Sequence, residues 1–566
     1  MKSKIQMRYS TDIAITSIAG RFPNADSSQE LWHAILGKRE LISGYTNAEL
    51  HDRGVNADAR GLHYVPRGAY LQDPEKFDYG YFQLMPREVS KMDPQQRICL
   101  EVCHEALELS GYSNGADAGL CSVFVGSRQS TWHANVPATN NSPADAMLLF
   151  GGSSIDALAT RIAYKFNCLG PAMSIGTFCS GSLVAVHMAC NSLLLGESDM
   201  ALAGGVCVRY PAHVGYVYHE GGILSPTGRV CAFDERADGT IFSDATAFVA
   251  LRRLEDALLN GEPILAVIKG TAINNDGAVK AGYSAPGVSG QEQVIRRALA
   301  AADVRADQIG LIEAHGTGTP VGDGIELRAL GRVFERVSAR ACALGSIKSN
   351  LGHADCASGI AGLIKTIYAV NLGIIPPSIN CESPCAELRD PASPFYVPTE
   401  PSAWDNRYSS RIAGVSSFGI GGTNVHIVVA EPPAREPDMP SLEAAHLIPL
   451  SARTEAALTH KILDLAKYLE QYSEVNIADI AFTLQRGRRH LSIRKVIVAC
   501  DIRELISGLL NKARVVAHES SELPDIYISS ASVWQAGENI NWDIFYQNEH
   551  RKRLALPTYP FERTAI

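Results

Sequence analysis

The chain has 566 residues, 46% hydrophobic and 20% charged, with a mean hydropathy of −0.01, a balance that excludes wholesale disorder and fits a globular protein. Lys and Arg number 51 against 60 Asp and Glu, and the resulting net charge of −9 argues against general nucleic-acid binding and against an anionic membrane surface. At roughly 150 residues per unit the length allows two to four units, as a ceiling.

The N-terminus, MKSKIQMRYSTDIAITSIAGRFP, has basic residues before a short apolar run. Asp12 interrupts that run and Arg21 follows without a small-residue cleavage pattern, so IAITSIAG predicts a buried first strand, not a leader. No apolar run reaches the roughly 18 residues of a membrane span. Through residue 430, the segments AGLCSVFVG, DMALAGGVCV, ILAVIKGTAI, IGLIEAHG and AGVSSFGIGGTNVHIVVAE alternate with helical stretches. That alternation predicts an α/β layered domain with strands buried on both faces.

EPPAREPDMPS, residues 431–441, is Pro-rich and charged and marks a boundary or a stiff linker. Beyond it, SARTEAALTHKILDLAKYLEQY offers Ser451 or Thr454 as a cap. Leu458, Ile462, Leu465 and Leu469 follow at helical spacing. IRKVIVAC reads as a strand, and the last segment holds Trp534, Trp542, Phe545, Tyr546, Tyr559 and Phe561, expected to dock on another surface. No repeat with a period of about 20 to 50 residues is visible.

Thirteen cysteines, an odd count without an extracellular spacing pattern, point to reduced thiols and a cytoplasmic protein. Cys99/Cys103 and Cys381/Cys385 lie four apart but lack the partners of a zinc site, so no metal is expected. In GTFCSGSLVAVHMACNSLLLGE, Cys179 precedes a run that is apolar on all sides, the mark of a helix buried mid-domain. The N–H groups and dipole at its start favour a thiolate; an inert core cysteine is equally open on this segment alone. His315 in IEAHGTGTPVGDG and His353 in KSNLGHADCASG stand at similar glycine-rich strand-to-helix junctions, with Lys348 five residues before His353. Neither GxxxxGK[ST], nor GxGxxG after the first strand, nor GxSxG is present, which disfavours a nucleotide site and a serine nucleophile.

Five segments in this order, MDPQQR (92–97), the Cys179 stretch, EAHGTGTPVGD, KSNLGH and SSFGIGGTNVH (416–426), resemble the β-ketoacyl synthase (ketosynthase) domain of modular polyketide synthases. IAITSIAGRFP, GGILSPTGR and FDERADGT are also similar to that pattern. The resemblance implies a thiolase-type fold, two similar α/β halves stacked as five layers αβαβα, in a homodimer. LIPLSARTEAAL through VIVAC resembles the small domain that links a ketosynthase to an acyltransferase, and LALPTYPFER resembles a strip that wraps back across both. No acyltransferase lies between them, the layout of synthases served by a separate acyltransferase. The expected division is a ketosynthase over 10–430, a linker over 431–441, a small α/β domain over 442–530 and a tail over 531–566 packing back on the ketosynthase.

By this resemblance Cys179 is the nucleophile that takes an acyl chain from the phosphopantetheine arm of an acyl carrier protein, with no bound cofactor. His315 and His353 then stabilise the enolate of a malonyl-type extender as carbon dioxide leaves, and Lys348 holds the histidine network. The N–H groups of Cys179 and Phe418, with Gly419 beside them, form the oxyanion hole and gate. Thr317 and Thr319 contact the pantetheine. The chain departs from the family pattern at Gly176, where Asp is usual, and at Phe178, which predicts a restricted acyl donor. Ala245 and Ala247 replace glycines within GTIFSDATAF, a strain if those positions need positive φ. Ala354 and Asp355 stand where Leu-Glu is common. The alternatives are a non-elongating transacylase, a branching ketosynthase, a non-catalytic partner subunit and, more distantly, a coenzyme A thiolase-like enzyme; the presence of Cys179, His315 and His353 together favours condensation.

Overall fold

The computed structural model describes residues 11–566 other than 53–54, 56–62, 133–141, 211–213, 435–444, 512, 514, 517–524 and 547–548. Runs of small and β-branched residues form β1 (Ile13–Arg21), β2 (Cys121–Ser127), β3 (Ala172–Ile175), β4 (Met200–Cys207) and β5 (Ala245–Arg253) in a first half. A second half contains β6 (Ala266–Asn275), β7 (Leu311–Glu313), β8 (Cys342–Gly345), β9 (Phe395–Tyr396), β10 (Ile412–Phe418) and β11 (Thr423–Ala430).

The strands lie in the order β3-β2-β4-β5-β1 and, continuing, β6-β11-β10-β7-β8-β9. Counted from the start of each half, with β9 as an added edge, both orders read third, second, fourth, fifth, first. In both halves the third, second and fourth strands run parallel, while the fifth is antiparallel to its two neighbours. A duplication invisible as a sequence repeat is therefore plain in the topology. The halves join where β1 pairs with β6 through Ile13↔Ile268, Ala14↔Val267 and Ile15↔Ala266.

Helices α1 (Pro94–Leu109), α2 (Gly181–Leu194), α3 (Val288–Ala301), α4 (Pro320–Val333) and α5 (Ser358–Leu372) complete the layers. Alternation along β4 separates them: Ala201 and Ala203 face a central core with α2 and α5, whereas Met200 and Leu202 face an outer core with α1. The other face of the second half packs on α3 and α4. The result is the expected thiolase-like stack. The two central helices approach closely, since a Cβ at Gly359 would meet Leu183 Cγ at 2.6 Å. The helix after Cys179 is not buried on every side: Met188, Leu194 and the following Leu195 are exposed.

Ala245 and Ala247 carry no positive φ; both lie in β5, fully buried. Ala247 is accommodated because it pairs with Gly20 on one side and Gly205 on the other.

The smaller unit is a sheet of β12 (His446–Ala452), β13 (Ile493–Ala499) and β14 (Val515–Val516) with α6 (Glu455–Gln471), α7 (Ile477–Arg486), α8 (Ile502–Leu510) and α9 (Asp525–Gln535). Thr454 caps α6, accepting the Ala457 N–H at 3.1 Å, while Ser451 lies inside β12. Leu458, Leu465 and Leu469 join the same outer core as α1, so the unit is docked through apolar burial.

The linker expected over 431–441 falls outside the described residues from 435 onward. Helix α9 runs across the expected boundary at 530/531. Trp534, Trp542 and Phe545 pack with Leu447 and Val496 of the small sheet, not on the large unit. The return to the large unit starts later. Arg553 stands 4.2 Å over the Tyr112 ring, Tyr559 lies 4.2 Å from Tyr81, and Phe561 lies 5.2 Å from the same ring. Buried Arg488 ties three segments, donating to the carbonyls of Glu108 at 2.7 Å and Leu556 at 3.0 Å.

Candidate active site

Cys179 lies in a 3₁₀ turn, Phe178–Ser180, between β3 and α2. Three bonds hold the turn. Ser180 Oγ donates to the Thr177 carbonyl at 2.9 Å and contacts Thr177 Oγ1 at 3.2 Å, and Ser417 Oγ donates to the Cys179 carbonyl at 2.8 Å. Phe178 is at φ 53°, the left-handed region, with its ring about half exposed. Glycine is required at position 419 because a Cβ there would meet the Thr177 carbonyl oxygen at 2.5 Å.

Burial pushes the Cys179 thiol up to about 12, and Asp355 adds to the shift; Lys348 and the N–H groups of Cys179 and Ile420 pull it down. Cys179 therefore rests as a thiol, with Lys348 and the two backbone N–H groups offsetting part of the cost of burying its anion. From the glycine-rich turn, the Ile420 N–H faces the sulfur. Phe418 sets its ring 5.6 Å from His315.

His315 follows β7, and Glu326 of α4 fixes its backbone by accepting the N–H groups of His315 and Gly316, both at 2.8 Å. Lys348, fully buried after β8, donates its Nζ proton to the His315 carbonyl. Burial, then Lys348 and His353, hold the His315 pKa well below the usual range, so the ring is neutral. Burial also raises Glu326 to about 7 and Asp323 to about 6 and lowers Lys348.

His353 stands at the mouth of α5, held by its N–H on the Ile241 carbonyl at 2.7 Å. Its Nδ1 accepts the Asp355 N–H at 3.0 Å and lies 2.9 Å from Ser358 Oγ. A backbone N–H only donates, so Nδ1 is the acceptor and the neutral ring carries its proton on Nε2. Burial, Lys348 and Arg209 keep it neutral. The rings of His315 and His353 meet edge to face, 5.5 Å apart at 87°. Thr317 and Thr319 stand together beyond His315, their hydroxyls 2.9 Å apart.

The geometry brings Cys179, His315, His353 and Lys348 to the facing mouths of α2 and α5. Sequence reasoning missed Ile420, Ser417, Ser358 and Arg209. Ile420 was legible in principle, as the residue between glycines in GIGG. Among the described residues, no group of three His, Cys, Asp or Glu side chains could hold a metal ion, and no helix is long and apolar enough to cross a membrane.

Residues 10–257 match the β-ketoacyl synthase N-terminal domain family, residues 265–382 its C-terminal domain, and residues 446–509 the CurL-like PKS C-terminal family. Over 501 residues the chain is 41% identical to a phenolphthiocerol/phthiocerol polyketide synthase of Mycobacterium tuberculosis, covering 84% of this chain and 33% of that protein. It is 31% identical to polyketide synthase PksN of Bacillus subtilis, over 99% of this chain and 11% of that one. The chain therefore spans a third or less of these relatives. A solved structure of ketosynthase twelve from the bacillaene polyketide synthase of Bacillus amyloliquefaciens superposes with a TM-score of 0.88 at 31% identity, covering 98% of this chain and 99% of that one.

Proposed function

The chain belongs to the β-ketoacyl synthase family of polyketide synthases, and from that membership we propose that it performs decarboxylative condensation with Cys179 as nucleophile. One observation carries the assignment of roles: a thiol and two neutral imidazoles converge from three strand-to-helix junctions. In the first step Cys179 Sγ attacks the thioester carbonyl of an acyl chain on a carrier protein's phosphopantetheine. The Sγ–C bond forms, the C–S bond to pantetheine breaks, and the thiol proton ends on the departing sulfur. The N–H groups of Cys179 and Ile420 stabilise the intermediate oxyanion; this assigns the second donor to Ile420 in place of Phe418.

In the second step a malonyl-type extender loses carbon dioxide. The electron pair of the broken C–C bond moves onto the thioester oxygen, where His353 Nε2–H and His315 donate. Each such donor contributes about 3 kcal/mol to transition-state stabilisation. The resulting enolate attacks the acyl group on Cys179, giving a β-ketoacyl chain on the carrier and regenerating the thiolate. Lys348 positions His315 through its carbonyl, and the Thr317 and Thr319 hydroxyls are suited to the pantetheine amides.

The working form is a homodimer, supported by the unpaired edge of β3 and the exposed Met173, Met188, Leu194 and Leu195 beside it. Carrier proteins and a separate acyltransferase are its proposed partners. The units are best divided as 10–430, a small domain from 442 to about 546, and a returning tail beyond it.

Mass spectrometry after incubation with acyl carrier thioesters, with and without malonyl carrier, tests the reading. Cys179→Ala is expected to lose the acyl increment; His315→Ala to keep it and lose condensation by about a hundredfold or more. Acylation surviving in the first variant, or carbon–carbon bond formation in the second, overturns the corresponding role.

A further inference from the structure

We propose that Arg209 is a positioning residue for the site: its guanidinium, paired with the Asp355 carboxylate beside the active-site turn, keeps that carboxylate turned away from Cys179. The inference rests on the reading of Cys179 as the acylated residue.

Asp355 lies two residues beyond His353 at φ 49°, in the left-handed region, with its N–H committed to His353 Nδ1. That fixes the backbone and leaves the carboxylate to be directed by its partner. Arg209 Nη2 lies 3.9 Å from Asp355 Oδ2, the two side chains 18% and 25% exposed. Arg209 is itself tightly held. Its N–H donates to Asp244 Oδ1 at 3.0 Å and Nη1 to the Ser243 carbonyl, and its guanidinium carbon sits 4.9 Å over the Phe242 ring. Phe242 in turn lies 5.7 Å from His353.

The turn bearing Asp355 presses on the turn bearing Cys179: a Cβ at Gly181 would lie 3.3 Å from Cys356. The charged and titratable groups around the turn are Asp355 and Cys356 from this turn, Cys207 at the end of β4, Lys348 after β8, and the neutral rings of His315 and His353; Arg209 faces Cys207 and Asp244 as well as Asp355. Asp355 disfavours the thiolate and Lys348 favours it. A guanidinium that draws the carboxylate toward itself offsets the unfavourable member of that set. In the condensation chemistry Arg209 touches no reacting atom and bears on it through its charge beside His353, and the family pattern commonly has Leu-Glu where this chain has Ala354 and Asp355.

The test is alkylation of Cys179 by iodoacetamide, followed on the Cys179 peptide by mass spectrometry. At about pH 8, well below the thiol midpoint, rate tracks the thiolate fraction. Arg209→Met is expected to slow alkylation about tenfold and Asp355→Asn to speed it about tenfold, a shift of about one pH unit each way. The double variant follows Asp355→Asn, because Arg209 acts through the carboxylate, and Arg209→Lys restores most of the wild-type rate. Arg209 also serves buried Asp244, so Arg209→Met loses stability; Asp355→Asn, on a partly exposed side chain, then carries the test. Asp355→Asn alkylating at the wild-type rate or slower, or a double variant following Arg209→Met, overturns the proposal. If instead the wild-type chain is not acylated at Cys179, the reading of the site fails, a separate result.

Discussion

The Ser417 hydroxyl donates to the carbonyl of Cys179 at 2.8 Å, so the proposed nucleophile of the first half is anchored by a strand of the second. The bond spans 238 positions and is buried. Ser417→Ala is expected to slow acylation about fivefold, the rate equivalent of about 1 kcal/mol, with circular dichroism unchanged. Single-turnover acylation measures it; an unaltered rate means the turn is held by Ser180 and Thr177 alone.

Ser358 is one of two donors on His353 Nδ1. Ser358→Ala leaves the Asp355 N–H in place, so the ring keeps its tautomer with less constraint on its plane. Condensation is expected to fall about three- to tenfold while acylation is retained, against a loss of about a hundredfold for His353→Ala. Separate assays of the two half-reactions resolve the difference.

Phe178 holds a backbone conformation that a bulky residue seldom adopts. Phe178→Gly is expected to gain up to about 1 kcal/mol of stability while widening the range of accepted acyl thioesters; Phe178→Val is expected to lose stability. Thermal melts and a thioester panel report both. A destabilised glycine variant paired with an unchanged acyl profile rules out strain and selectivity alike.

His426 is fully buried with its Nδ1 2.9 Å from Ser416 Oγ, and burial lowers it from 6.5 to about 3. Its folded pKa is depressed, so between those values the unfolded chain binds the extra proton, and the stability the neutral ring contributes is lost as pH falls. Asp244 and Asp323, raised to about 6, act in the opposite sense over part of this range, so the informative quantity is the difference between variant and wild type. His426→Leu is expected to gain about 2 kcal/mol on the wild type between about pH 6.5 and 4.5, read from urea unfolding at each pH. Parallel curves for the two proteins contradict it.

The layered fold was legible because its strands are short apolar runs and its central helices are rich in small residues. Both patterns are local. The duplication was not, since equivalent strands share an order and a direction but not their side chains. The extent of the tail is hidden for a similar reason: Trp534 and Tyr559 look alike as aromatics along a polar segment, yet one meets Val496 and the other Tyr81.

In the site, Cys179, His315 and His353 were legible from motif and setting. The proposed preference for Ile420 over Phe418 as oxyanion donor was not, because it depends on which way a peptide plane faces in a turn of three glycines and one isoleucine. Ser417 and Arg209 act across the molecule, through bonds to residues far away in the chain, and such pairings leave no periodic trace in a single sequence.

The turns Phe178–Ser180 and Asp355–Ala357 occupy equivalent places in the two halves, each opening on a residue at positive φ and leading into a central helix, so Cys356 is the counterpart of Cys179 and His353 stands just before the second turn. A small slip of one half along the other therefore displaces the thiol relative to the imidazole by the full amount of the slip. Since about 1 Å of misplacement can cost a hundredfold in rate, catalysis reports the seating of the halves more sharply than any melting curve. Disturbance of the three-residue seam between β1 and β6 is expected to show first as slow chemistry, in a protein that still looks folded.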